Sequence, residues 1–173
     1  KKILYGNLSS FWIHTAQMAT LIPITFYLQG ELGFPAWLTG TMLILQPLLM
    51  GVVAPFAGWF RDRYGAFFPV TIGPLCCAVS MIFVFVLPEI SAIGIALQLI
   101  LFGIGTGFFH ATNNAEIMSA APDAKISLAG SLLAMVRYLG QIAGLGLATL
   151  FVGSMGLEVA ADVAIDWSMR ILF

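Results

Sequence analysis

Long apolar runs, broken by short polar segments, dominate the chain. A helix needs about 20 mostly apolar residues to cross the hydrocarbon core of a bilayer, and five of these runs reach that length. They predict spanning helices over residues 7–29, 37–60, 68–87, 90–118 and 127–152. A last apolar run starts at Asp166 and stops with the chain, so we expect it to be the start of a truncated sixth helix.

The composition supports this interpretation. Hydrophobic residues make up 60% of the 173 residues and charged residues only 9%, whereas soluble domains carry about 25% charged residues. So few charges cannot cover a water-facing surface, and the sequence therefore predicts an all-α integral membrane protein. It shows no basic cluster for nucleic acid and no nucleotide-binding or hydrolase motif. We therefore expect neither an enzyme nor an ATP-driven pump, and the spacing of His and Cys does not fit a metal site.

Charged residues segregate between the two ends of the predicted helices. Lys and Arg concentrate in cytoplasmic loops of membrane proteins, so the end that carries the basic residues is predicted to be cytoplasmic. This places the N-terminus of the segment in the cytoplasm of a multi-pass protein of the cell membrane. The predicted cytoplasmic end carries Lys1, Lys2, Arg61, Arg63 and Lys125, and the opposite end carries Glu31, Glu89, Glu158 and Asp162.

The segment Gly58-Trp59-Phe60-Arg61-Asp62-Arg63-Tyr64-Gly65 is read as a charged turn between the second and third helices. Gly58 and Gly65 permit close approach and positive φ, where other side chains would clash. Asp62 is expected near the start of the third helix, where the helix dipole favours a carboxylate by about 0.3–1 kcal/mol.

The basic side chains of this turn are candidates for an ion pair with another helix. Arg61 or Arg63 is expected to reach a carboxylate at the cytoplasmic end of the fourth helix, and Glu116 is the candidate. The alternative is a solvated loop that only sets the topology.

Two predicted helices carry polar side chains where lipid contact would disfavour them. In the first helix, His14 and Gln17 lie one turn apart and are expected to face a cavity; His14 is chemically suited to carry a proton, although the sequence shows no partner for it. The alternative for His14 is a hydrated position near the cytoplasmic boundary. The fourth helix has a stripe at helical spacing, formed by Gln98, Phe102, Gly105, Phe109, Thr112 and Glu116.

Beside that stripe lie His110, Asn113 and Asn114. This density of polar residues predicts water access and a cavity floor or gate. Gly103 and Gly107 form a G-x-x-x-G pattern, which favours close helix contact.

Arg137 lies deep in the fifth predicted helix. An arginine at mid-membrane costs about 2.5–3.5 kcal/mol on insertion scales, so we expect a partner or a water-filled path. It belongs to a small and polar stripe that is expected to face protein, formed by Ser127, Ser131, Ala134, Arg137, Gln141 and Gly144. The alternative is a side chain that snorkels toward the headgroups.

The charged turn resembles the signature G-x-x-x-D-R-x-G of the major facilitator superfamily, found between the second and third helices of a six-helix half. Later segments are similar to the C-terminal half of the QacA/EmrB-like drug:proton antiporters with fourteen helices. One departure is Ala66-Phe67-Phe68, which stands where the family turn usually carries basic residues. The similar segments are Gly103-Ile104-Gly105-Thr106-Gly107, Ala121-Pro122, Ala129-Gly130-Ser131 and Arg137-Tyr138-Leu139-Gly140-Gln141.

This resemblance implies half of a secondary transporter, built from two three-helix repeats. Alternating access would exchange protons for an amphipathic or cationic solute, with the proton gradient as energy source and no cofactor. The implied partners are the N-terminal half or a second copy, the lipid bilayer and the small-molecule solute. In the family the first and fourth helices line the cavity, and an arginine at the position of Arg137 belongs to the pattern. The resemblance also favours a conformational latch between the charged turn and Glu116, which forms in one conformation and breaks in another. The alternative is a non-transporting scaffold or accessory subunit that retains the fold.

Overall fold

The structure, a computed structural model, describes residues 2–86 and 91–154 and is all-α in that part of the chain, as predicted. Residues 87–90 and 155–173, which include the predicted sixth helix and the acidic residues Glu89, Glu158 and Asp162, lie outside the described residues. The helices are α1 (Lys2–Gly30), α2 (Ala36–Leu43), α3 (Leu45–Tyr64), α4 (Phe67–Val86), α5 (Ala92–Ser119) and α6 (Ile126–Ser154), with a 3₁₀ turn at Asp123–Lys125.

The second predicted span is divided into α2 and α3 at Ile44. Pro47 explains the division, because it lacks an N–H and its ring crowds the carbonyl of the residue four positions earlier, Leu43. The two helices together, Ala36–Tyr64, are long and apolar enough to cross a membrane.

Two further segments of the described chain qualify in the same way, Ala92–Ser119 and Asp123–Leu150. The apolar part of α4, Phe67–Phe83, is shorter. α1 is 29 residues long but is not among the qualifying segments, and its buried side chains include Asn7, Ser10 and His14. A polar face of this kind must pack against protein rather than lipid.

The charged segment after Gly58 is helical, so the predicted turn is wrong in its extent. α3 continues to Tyr64, and Gly65 ends it with a φ of 85°, a conformation that favours glycine. Gly58 lies inside the helix with open space where a Cβ would stand, so its predicted close approach is also wrong. Asp62 consequently lies in the last turn of α3, where the helix dipole disfavours a carboxylate and favours Arg61 and Arg63.

α5 is the central helix of the described part of the chain. It packs extensively against α3 and α4 and less extensively against α1. A Cβ on Gly103 would lie 2.6 Å from the carbonyl oxygen of Gln46, and one on Gly107 would lie 3.0 Å from that of Met50. The two glycines thus let α3 approach the backbone of α5, which confirms the predicted close contact.

α6 packs against α1 in the same way, through glycines that let the two backbones approach. A Cβ on Gly140 would lie 2.5 Å from the carbonyl oxygen of Phe11, and one on Gly144 would overlap the carbonyl oxygen of Thr15. The Thr15 hydroxyl also donates to the Gly140 carbonyl at 3.1 Å. α6 therefore buries a row through Gly140 and Gly144, whereas Ser127 and Ser131 of the predicted stripe are exposed.

Candidate functional site

Arg61 and Glu116 join the ends of α3 and α5. The Nε and Nη2 atoms of Arg61 both donate to Oε1 of Glu116, each at 3.2 Å, and each side chain is 28% exposed. Nζ of Lys2 lies 3.9 Å from Oε2 of the same carboxylate. The expected contact with Glu116 is confirmed for Arg61, and its role as a latch stays a prediction.

The other charged residues of the segment contribute less to this contact. Oδ1 of Asp62 is 3.6 Å from Nη1 of Arg61, but the Asp62 side chain is 77% exposed. The guanidinium of Arg63 lies over the Trp59 ring, 5.5 Å from its centroid, and 5.9 Å from that of Tyr64. Arg63 is thus held beside its own helix and not at α5.

The ion pair between Arg61 and Glu116 is a contact that water can replace. Exposed ion pairs contribute about 0–1 kcal/mol, and the Arg61–Glu116 pair is partly solvated. A second polar contact lies nearby, where Nδ2 of Asn113 donates to the Gly6 carbonyl of α1 at 3.2 Å. Asn114, next to it, is half-buried.

His14 and His110 meet between α1 and α5, with ring centroids 4.6 Å apart. His14 is only 3% exposed, which excludes the hydrated position considered for it. Its Nδ1 lies 2.7 Å from the carbonyl oxygen of Ser10. A carbonyl only accepts hydrogen bonds, so Nδ1 carries the proton and Nε2 is left as an acceptor.

Arg137 of α6 lies close to His14 along the contact of α6 with α1. It is half-buried and lies one turn before Gly140, where a Cβ would meet that of His14 at 3.2 Å. Among residues 2–86 and 91–154, no carboxylate lies within ion-pair distance of it. Its guanidinium is 6.0 Å from the centroid of the neighbouring Tyr138 ring, and Gln141, one turn further on, is half-buried. The three helices α1, α5 and α6 thus bring together basic side chains that the sequence predicted separately.

The predicted cavity residues Gln17, Gln98 and Phe102 line one small cavity between α1, α3 and α5. The sequence analysis missed a further lining residue, Gln46 of α3. Its signal was a single amide in an otherwise apolar run, beside a proline. Phe109, by contrast, is fully buried and packs on α4, where a Cβ on Gly73 would meet it; it is a packing residue in this structure.

Comparison with known proteins decides the family. The model of the Major Facilitator Superfamily matches residues 2–145. The chain belongs to this superfamily. It is therefore part of a multi-pass membrane protein of a transporter family, and its helices form part of a major facilitator fold.

Curated members of the superfamily resemble the chain over most of its length. The Uncharacterized transporter YebQ of Escherichia coli (strain K12) is 34% identical over 142 residues, 82% of this chain and 31% of the relative. The Riboflavin transporter RibZ of Clostridioides difficile (strain 630) is 29% identical over 140 residues, 80% of this chain and 31% of the relative. The chain thus spans about a third of the length of these relatives. No solved structure gives a significant match.

The contacts of the charged segment can be compared with the superfamily signature G-x-x-x-D-R-x-G. The D-R pair of the signature is Asp62-Arg63, yet the side chain that reaches α5 is that of Arg61, one position before it. The glycine that closes the signature, Gly65, is the one that ends α3. The motif therefore contains both the residue that ends α3 and the last helical turn, which carries Arg61.

Proposed function

We propose that the chain is the C-terminal half of a proton-coupled secondary transporter that exports small amphipathic or cationic solutes by alternating access. The sequence similarity to the fourteen-helix QacA/EmrB-like antiporters supports the multidrug class. The name of one relative adds riboflavin to the solutes to be tested. The other wall of the cavity comes from an N-terminal half or a second copy, in a cell membrane with the start of this segment in the cytoplasm.

The observation that carries the proposal is the Arg61–Glu116 contact. It joins the ends of α3 and α5 with two hydrogen bonds at 3.2 Å to one carboxylate oxygen. Because water can solvate both charges when they separate, this end can open at small cost. Alternating access requires a closure of that kind at each side of the solute site.

The distribution of charge supports different roles for the two halves in proton coupling. The acidic residues of the described chain lie at helix ends or in loops, and these are Glu31, Asp62, Glu116 and Asp123. Within the spans, the ionisable cluster is Arg137 with His14 and His110. Carboxylates for proton coupling would therefore come from the other half. In this half, Arg137 sets the electrostatic potential, and His14 is the candidate proton carrier.

The test is transport by the full-length protein in proteoliposomes with an imposed pH gradient. The solutes are ethidium, which is cationic, and riboflavin and thiamphenicol, which are neutral. We expect gradient-driven movement of at least one of them, and a loss of tenfold or more in Arg137→Ala. Arg137→Lys keeps the charge and is expected to retain part of the rate, and Lys125→Ala, an exposed basic residue, serves as the control.

Two results would contradict the proposal. Transport at the wild-type rate in Arg137→Ala would remove the role assigned to Arg137. No movement of any of the three solutes by folded protein would favour the scaffold or accessory subunit.

A further inference from the structure

Three glutamines from three helices wall a small internal cavity. They are Gln17 of α1, Gln46 of α3 and Gln98 of α5. The cavity lies where these three helices meet. Its lining contains no ionisable side chain, and is completed by Thr20, Leu21, Ile24, Leu99 and Phe102.

Two of these amides present unpaired polar atoms. Nε2 of Gln46, a donor, and Oε1 of Gln98, an acceptor, are buried without a hydrogen-bond partner among the described residues. The two residues are only 4% and 1% exposed. Leaving such groups unpaired costs about 1–3 kcal/mol each, and buried polar groups in proteins are nearly always paired. The cavity is thus suited to a ligand that accepts one hydrogen bond and donates another.

Size and charge limit what that ligand can be. The volume of the cavity, about 10 Å³, matches the space that one water molecule needs. An ammonium or carboxylate group would be buried there without a counter-charge, at high cost. A carboxamide has three heavy atoms and exceeds the volume. The chemistry that fits is a single oxygen atom with one hydrogen to donate, which is a water molecule or a hydroxyl group.

The α1 wall offers the route of entry. Gln17, Thr20 and Leu21 are half-buried, whereas Gln46 and Gln98 behind them are buried. Two of the three residues on this partly exposed wall are polar, which is expected of a surface that meets solute or water rather than lipid.

We propose that this glutamine cavity is a hydroxyl-recognition subsite of the transporter. A hydroxyl group of a neutral or amphipathic solute accepts a hydrogen bond from Nε2 of Gln46 and donates one to Oε1 of Gln98, and replaces a water molecule in doing so. The inference rests on the transport function proposed above and narrows its substrate class to solutes that bear a hydroxyl group.

A matched pair of probes tests the subsite. Thiamphenicol carries a primary hydroxyl group where florfenicol carries fluorine, and the fluorine cannot donate a hydrogen bond. Binding of each compound to the purified full-length transporter is measured by titration calorimetry. We expect florfenicol to bind about tenfold more weakly or worse, because a site built for a hydroxyl rejects the analogue that lacks it.

Leucine substitutions then locate the effect. Gln46→Leu and Gln98→Leu keep the side-chain volume and remove an unpaired polar atom, so both proteins are expected to fold and to bind the two compounds with equal affinity. Gln29→Leu, the same change at the far end of α1, is expected to keep the wild-type preference for thiamphenicol.

Three outcomes would overturn the inference. Each compound also carries a secondary hydroxyl group, so equal binding of both compounds by the wild-type protein and by both cavity variants would mean that the cavity holds only water. A preference that survives in both cavity variants would place the hydroxyl elsewhere, and binding of neither compound would remove the subsite. Failure of the proposed function is distinct, since it would show as absent gradient-driven transport while the binding preference persists.

Discussion

The two ends of α5 are closed by different kinds of contact. At its N-terminal end, Ile95 and Leu99 pack with Ile24 and Leu28 of α1 in a buried apolar cluster. At its C-terminal end, Glu116 reaches α3 through an ion pair that is partly solvated. Water substitutes well for the second kind of contact and poorly for the first. We therefore predict that the C-terminal end opens first and that the N-terminal end keeps α1 and α5 together.

The C-terminal end of α5 also makes apolar contacts with α6. Ile117 of α5 packs with Ala129 and Leu133 of α6. α6 therefore moves with α5 in this view, while α3 is the helix whose end can separate from them.

The largest expected effect is loss of stability from Leu99→Ala. Leu99 is buried in the apolar cluster, and truncation of a buried leucine costs about 2–5 kcal/mol. The thermal unfolding midpoint of the purified full-length protein should fall clearly. Leu97→Ala, an exposed position on the same helix, is the control, and equal midpoints for the two variants would show that the cluster does not hold this end.

Glu116→Gln should act on conformation rather than on stability. It removes the negative charge that faces Arg61 and Lys2, a contact of about 1 kcal/mol at most, so the open population at this end should rise about fivefold. Distances between spin labels at Tyr64, in the last turn of α3, and Ser119, both exposed, report it. Glu31→Gln, at the opposite end, is the control. A distance distribution unchanged from wild type in Glu116→Gln would remove the latch.

The smallest effect is expected from Asp62→Asn. Asp62 is mostly exposed and 3.6 Å from Arg61, so its charge is well screened by water. The same spin-label distances should stay within error of wild type. A shift as large as that of Glu116→Gln would mean that the carboxylate of the motif, not that of α5, holds Arg61.

Sequence reasoning succeeded where periodicity or sidedness determined the answer. The stripe on α5 was predicted from helical spacing, and its residues Gln98, Phe102 and Thr112 are buried. Glu116 was identified as a partner because the basic residues and the end of that helix fall on the same predicted side. The first inference needs only the spacing of residues along one helix, and the second needs only the side of the membrane on which the residues fall.

It failed where a helix end or a tertiary contact determined the answer. The charged residues after Gly58 suggested a turn, but basic side chains are favoured in the last turn of a helix and α3 ends only at Gly65. The contact of His14 with His110 depends on how α1 packs on α5, which no local pattern contains. Gln46 was missed because its importance comes from Gln98 across the cavity.

The most direct test of the account is a charge swap at the latch in the full-length protein. Spin-label distances between Tyr64 of α3 and Ser119 of α5 are compared for wild type, Arg61→Glu, Glu116→Arg and the double variant. We predict that each single variant shifts the distribution toward longer distances, because it places two like charges in contact, and that the double variant returns it to the wild-type distances. Single variants without a shift, or a double variant as open as the singles, would contradict the claim that the Arg61–Glu116 pair closes this end.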